Sequence, residues 1–166
     1  MQSIANEKLG KLILPFGLSK RTIYAGPYRN RPSNMFGVKL ASEIDAKFDI
    51  SVPIRDFSIP DRYSTITKAA ETVLELLAFN RKVFCGCAGG RGRTGLFLTL
   101  LAQSLGVSDP IGYVRANYNP HAVETDEQKA FLGKIPMESL IRVGRVAKWE
   151  AGTADVLGFF GLKVGD

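Results

Sequence analysis

Apolar and polar positions change period several times along the chain. Near the N-terminus, "KLIL" and "TIYA" are short apolar-rich runs that predict two strands ahead of a polar, basic loop, "GPYRNRPSN". "KFDISV" alternates as a half-buried strand does, and Pro53 ends it. After the loop "PIRDFSIPDRYS", Ile66, Ala70, Val73, Leu74 and Leu77 recur at helical spacing, predicting an amphipathic helix over about 64–80. "KVFC" is a short apolar run, read as a buried strand. Thr94 to Leu105 is strongly apolar and predicts a helix closed by Gly106. Ser108-Asp109-Pro110 opens another helix, through about Tyr118, and Pro120 breaks it. Thr125 to Gly133 predicts a further helix, and the tail is helical to about Ala151, with nothing assigned beyond. Strands alternating with helices predict an α/β fold. No repeat, low-complexity tract or linker interrupts the pattern, so one domain over residues 1–166 is expected.

Composition narrows this picture. A length of 166 residues suits one domain with a sizeable core. Apolar residues make up 45% and charged residues 23%, ordinary values for a globular chain, which excludes disorder over most of the length. The net charge of +6 favours anionic partners: phosphate groups, nucleic acid or acidic lipid. The longest apolar stretch, Gly95 to Val107, contains Thr99, Gln103 and Ser104 and is shorter than the roughly 20 residues a bilayer needs. Lys8 and Lys11 precede "LILPFGL", but Pro15 and the lack of a small-residue cleavage pattern argue against a signal peptide. Two cysteines separated by one glycine make no disulfide framework and imply a reducing, cytoplasmic setting.

The chemistry concentrates in "KVFCGCAGGRGRTGLFLTL", Lys82 to Leu100. Gly90 to Gly95 matches G-x-G-x-x-G between a strand and a helix. Dinucleotide binding, however, needs a second strand ending in an acidic residue about 20 positions on, and "SDPIGYVRANY" predicts helix instead. A Walker phosphate loop needs glycine at 87 and lysine at 93, where the chain has Cys87 and Arg93. Those two residues suit a different reaction. A strand-to-helix turn points successive N–H groups at an anion, glycines let a phosphate approach, and the helix adds the positive end of its dipole. Such a nest favours thiolate, the nucleophilic form of cysteine. An arginine can grip two phosphate oxygens at once.

Cys87-x5-Arg93-Thr94-Gly95 resembles the catalytic loop of the cysteine-based protein tyrosine phosphatase superfamily, in its small dual-specificity form of microbial or phage type. The resemblance covers about residues 45–132. It implies Cys87 as nucleophile, Arg93 as phosphate clamp, and Thr94 as the hydroxyl that supports the thiolate and its departure. Ala88, Gly89, Gly90, Arg91 and Gly92 would bind the phosphate. The family's histidine before the nucleophile is replaced by Gly86. Cys85 is expected to be a buried structural thiol. The family places a general acid on a loop after a strand, and Asp56 in "PIRDF" matches this better than Asp61 in "IPDR", which suits a helix cap. Val123-Glu124-Thr125-Asp126-Glu127-Gln128 resembles the Ile-Glu-Thr-x-x-Gln of small dual-specificity phosphatases, with Gln128 placing the hydrolytic water. A Cys87–His121 hydrolase would leave Arg93 and the glycines unexplained.

The implied fold is α/β, a central, mostly parallel sheet of four to five strands flanked by helices. The implied activity is hydrolysis of phosphotyrosine, with phosphoserine and phosphothreonine as further substrates, on proteins or peptides, through a cysteinyl-phosphate. No metal or cofactor is expected. The alternatives are a phosphoinositide or inositol phosphate phosphatase and a catalytically weak phosphate-binding module. Arg91 within the loop, with Arg29 and Arg31 at its rim, favours densely charged phosphates. Arg29, Arg31, Arg142, Arg145 and Lys148 could serve nucleic acid, but charge runs are more often solvated faces, and nucleic acid is not expected. No membrane is expected either, because no segment shows the amphipathic pattern of an anchor.

Overall fold

Alternation of Leu12, Leu14 and Phe16, all buried, with outward Lys11, Ile13 and Pro15 makes β1 (Gly10–Phe16). The computed structural model describes residues 9–163; residues 1–8 and 164–166, Lys8 among them, lie outside the described residues. A two-residue turn, Gly17-Leu18, pairs Phe16 with Ser19 and returns the chain antiparallel as β2 (Ser19–Pro27). Three further strands are parallel: β3 (Phe36–Lys39), β4 (Ile50–Ser51) and β5 (Val83–Cys87). The sheet order is β1-β2-β5-β3-β4, so β5 is central and all five of its residues are buried. This is an α/β architecture with a mostly parallel five-stranded sheet flanked by helices.

The helices are α1 (Tyr63–Ala78), α2 (Gly92–Ser104), α3 (Pro110–Asn117), α4 (Asp126–Lys134) and α5 (Glu138–Phe159). In α1 the apolar stripe from Ile66 to Leu77 faces the core, as its spacing requires. Every residue of α2 except Gln103 is buried, which explains an apolar sequence without a polar face. On the opposite face of β5, Phe84 packs with Met35 and with Tyr28 of a 3-10 turn, Tyr28–Asn30. Arg21, buried on β2, donates to Ala78 O at 3.0 Å and Ala151 O at 3.1 Å and pairs with Asp155 at 2.7 Å, tying the sheet to α1 and α5.

Three elements differ from the sequence expectation. β3 lies just past the segment expected to be loop and pairs with the central strand. "KFDISV" keeps only Ile50 and Ser51 as strand, although Asp49 N still donates to Gly37 O at 2.9 Å and Val52 N to Lys39 O at 2.8 Å; the Asp49 side chain adds further bonds. Its Oδ2 accepts from Gly37 N at 2.7 Å and from Arg31 Nη2 at 2.8 Å. Helix α5 also continues eight residues past Ala151, to Phe159.

Candidate active site

Strand β5 delivers Cys87 to the C-terminal edge of the sheet, and residues 88–91 turn the chain into α2. Crevices at that edge are where open α/β sheets bind ligands. The turn is shaped by β2. Gly90 has φ 68°, and a Cβ there would lie 2.5 Å from Gly26 C and 2.6 Å from Pro27 N, so only glycine fits. Gly86 answers to the same neighbour: a Cβ at 86 would collide with the Gly26 carbonyl and crowd the Tyr28 backbone. Position 86, where the resembled family carries a histidine, is thus closed to any side chain. Tyr118, at the end of α3, buttresses the turn from outside through a 2.6 Å hydrogen bond from its hydroxyl to Gly90 O, and burial raises its pKa.

Cys87 is nearly buried at the root of the turn. The Thr94 hydroxyl accepts from Cys87 N–H at 3.0 Å and donates to Cys87 Sγ at 3.1 Å, so one side chain fixes the orientation of the thiol and solvates its sulfur. Cys85 points to the same side of β5 but is wholly enclosed; burial, with Cys87 beside it, pushes its thiol far up, so it stays protonated. Ala88, Gly89 and Arg91 are exposed on the turn, and Gly92 opens the helix.

Arg93 is 2% exposed, and both terminal nitrogens of its guanidinium are engaged. Nη1 donates to Glu43 Oε2 at 2.8 Å and Ile54 O at 2.9 Å; Nη2 donates to Glu43 Oε1 at 2.7 Å and lies 3.1 Å from Asp56 Oδ1. Burial pulls the guanidinium pKa down, but the Glu43 hydrogen bonds and the charges of Cys87, Glu43 and Asp56 outweigh it, so the net shift is upward. In return, the Arg93 hydrogen bond is the largest cause holding Glu43 below its ordinary range. Glu43 belongs to no sequence motif and was not expected here. Its only signal was an acidic residue beyond a strand that was itself unrecognised.

Of the two acid candidates, the fold brings Asp56 to Arg93. Asp61 is exposed, and α1 is capped by Arg62 with no side-chain bond, so Asp61 is not the cap its position suggested. Asp56 Oδ1 also accepts from Phe57 N, and Phe57 adopts φ 56°, a left-handed conformation that bulky residues rarely hold. Gln128 is fully buried. Its Oε1 accepts from Glu124 N at 2.9 Å and Thr125 N, completing a capping box with Thr125, while Nε2 donates to Ser58 O at 3.1 Å. It therefore ties the start of α4 to the loop carrying Asp56. The side chain that stands against the start of α2 is Glu124, whose carboxylate fills the space where a Cβ of Gly92 would project. Val123 before it is left-handed at φ 58° and is held by Arg115 Nη2, which donates to its carbonyl at 2.9 Å. His121 is exposed and anchored through its backbone to Asn119. Arg31 does not reach the rim as expected: its guanidinium holds Met35 O, Lys47 O and Asp49.

No family model matches the sequence. Two uncharacterized proteins of Methanocaldococcus jannaschii are similar over 85 residues, at 38% and 35% identity. Each match spans 49% of this chain, and the chain spans about half of each relative, 54% and 50%. Among solved structures, Tk-PTP in its active form, a protein tyrosine phosphatase, superposes with a TM-score of 0.55 at 21% identity, covering 74% of this chain and 95% of that one. A glycine-to-alanine mutant form of Tk-PTP gives 0.51 at 22% identity, covering 66% and 81%. The chain has the fold of the protein tyrosine phosphatases.

Proposed function

We propose that the chain is a single phosphatase domain over residues 1–166. It hydrolyses phosphate monoesters on proteins or peptides, phosphotyrosine first, through a cysteinyl-phosphate, with no metal or cofactor and in a reducing, cytoplasmic setting. The observation that carries this reading is the 3.1 Å hydrogen bond from Thr94 Oγ1 to Cys87 Sγ at the root of a turn that opens α2. In the first step the Cys87 thiolate attacks phosphorus, the bond from phosphorus to the leaving oxygen breaks, and Asp56 donates its proton to that oxygen. Arg93 and the N–H groups of residues 88–92 hold the equatorial oxygens, where charge develops. In the second step water attacks phosphorus, Asp56 takes its proton, and the sulfur leaves as thiolate, stabilised by Thr94. Gln128 acts on this second step by holding the Ser58 end of the acid loop against α4.

A second reading is favoured by Arg91, which is exposed on the turn and has no hydrogen bond or ion pair among the described residues. A free cation beside the clamp suits inositol polyphosphates or phosphoinositide headgroups. A binding module without turnover is the third reading, resting on the missing histidine. One set of assays separates them. Cys87→Ser should abolish release of phosphate while retaining binding of vanadate, and Cys85→Ser should stay active. Wild type should prefer phosphotyrosine peptides over inositol polyphosphates. A preference for inositol polyphosphates that disappears in Arg91→Ala would establish the second reading, and a wild type without turnover the third.

A further inference from the structure

Glu124 carries a carboxylate with no task in the two steps above. The residue is exposed, and among the described residues its side chain has no hydrogen bond and no ion pair. Its place is nonetheless well defined. Gly92 opens α2 and directly precedes Arg93. A Cβ at Gly92 would collide with Glu124 Oε2 and lie 3.0 Å from Cδ and 3.2 Å from Cγ of the same side chain. One turn on, a Cβ at Gly95 would lie 2.5 Å from Ala122 Cβ and 2.8 Å from Val123 N. Positions three apart on a helix share a face, so two glycines leave α2 bare where residues 122–124 lie on it.

The segment is held there from behind. Arg115 donates from Nε to Ala122 O at 2.9 Å and from Nη2 to Val123 O at 2.9 Å. Ala122 N donates to Asn119 O at 3.0 Å. Val123 holds φ 58°, a conformation that a β-branched residue keeps only where its surroundings impose it. Gln128 Oε1 accepts from Glu124 N at 2.9 Å, so the amide fixes the backbone of Glu124 and leaves its carboxylate free. Gln128 itself has little left to offer a water. It is fully buried, Oε1 is taken by the N–H groups of Glu124 and Thr125, and Nε2 by Ser58 O.

A carboxylate beside a phosphate site adds nothing to phosphate binding, because like charges repel. An ionised carboxylate only accepts hydrogen bonds, and water can donate them. We propose that Glu124 positions the water that hydrolyses the cysteinyl-phosphate, the task that the sequence motif gave to Gln128. The proposal rests on the phosphatase reading above. One O–H of the water donates to Glu124, which turns an oxygen lone pair toward phosphorus. The new oxygen–phosphorus bond forms, the phosphorus–sulfur bond breaks, and its electron pair stays on Cys87 as thiolate. The other water proton passes to Asp56, and the one facing Glu124 leaves on inorganic phosphate. Attack by Cys87 in the first step uses no water and does not need Glu124.

The test separates the two steps. The full chain and its variants are mixed rapidly with p-nitrophenyl phosphate, and quenched samples are weighed by intact-mass spectrometry for phosphate on Cys87. Glu124→Ala should show a burst of p-nitrophenolate at the wild-type first-turnover rate. Its steady-state rate should then fall about 10²-fold, the scale of a misplaced reactant, while phosphate accumulates on Cys87. Glu124→Gln keeps an accepting oxygen and should recover most of that loss. Both variants should keep the wild-type melting curve, since the side chain bonds to nothing. An active wild type matched by Glu124→Ala overturns this proposal and leaves the phosphatase reading standing. So does a Glu124→Ala whose first turnover slows as much as its steady state, with no phosphate on Cys87. Phosphate that accumulates in Gln128→Ala but not in Glu124→Ala returns the task to Gln128. A wild type with neither turnover nor phosphate on Cys87 overturns the phosphatase reading, and this proposal with it.

Discussion

Arg93 is a cation almost sealed from water, and its surroundings are arranged to make that tolerable. A buried guanidinium needs anionic acceptors, and Glu43 supplies two oxygens in a fork that matches it. Asp56 lies against the same guanidinium at 3.1 Å, on a loop whose next residue, Phe57, is held at φ 56°. The free state thus holds both Asp56 and Glu43 against Arg93. If Asp56 protonates the leaving oxygen, Asp56→Asn should slow hydrolysis of alkyl phosphates, poor leaving groups, by about 10²–10⁴-fold. It should slow p-nitrophenyl phosphate much less. Equal losses on both substrates, or a larger loss in Asp61→Asn, would move the role off Asp56. Cys87, Arg93 and Thr94 were legible because a loop motif keeps them within eight positions of each other. Glu43 was not, because it reaches Arg93 across 50 residues of sequence and shares no motif with it.

At the scale of elements, the turn from β5 into α2 is shaped less by its own residues than by the strand beside it. β2 passes so close to β5 that position 86 has no room for a Cβ, and position 90 is both crowded and left-handed. A histidine, which the resembled family carries at this place, could not be seated at position 86 without moving β2. Gly86→Ala should destabilise the fold by about 1–3 kcal/mol, the usual scale of overpacking. That amounts to several degrees of Tm. Activity should fall with it, because Cys87 is the next residue. Gly89→Ala is the control: a Cβ there meets nothing within 4 Å, so its Tm should match wild type. A Gly86→Ala variant that melts with wild type would refute the steric account. Long periodic elements were readable from the chain: α1, α2 and α4 fall within two residues of their expected ends. β3 was not, because Phe36–Lys39 is four residues with a glycine inside, too short to carry a period. "KFDISV" misled for the opposite reason. Its alternation is real, yet only Ile50 and Ser51 are strand, with single backbone bonds from Asp49 to Gly37 and from Val52 to Lys39 on either side.

For the whole molecule, Arg21 is the tie that holds sheet, α1 and α5 together. Its partner Asp155 is held below its ordinary value of 3.8, chiefly by the Arg21 hydrogen bond and then by one from Ser19. A carboxylate depressed in the folded state stabilises fully above its unfolded value and loses that contribution as pH falls through the folded one. Asp155→Asn should therefore lower Tm at neutral pH, by about 1–3 °C for a half-exposed pair. The gap to wild type should close in acid below 3.8. A gap that persists unchanged at the acid end would mean that Asp155 does not act through its charge. What the sequence alone determined is local: the α/β alternation, the glycine-rich turn between a strand and a helix, and a thiol, a hydroxyl and a guanidinium at fixed spacing along it. These rest on neighbours in the chain, so period and motif reveal them. Tertiary structure decided what depends on distant segments meeting: Glu43 against Arg93, Asp56 rather than Asp61 beside Arg93, Gly26 closing position 86, and Leu18 beside Trp149. No local pattern encodes those meetings, because each is set by the sheet order β1-β2-β5-β3-β4, which brings together residues that the chain keeps far apart.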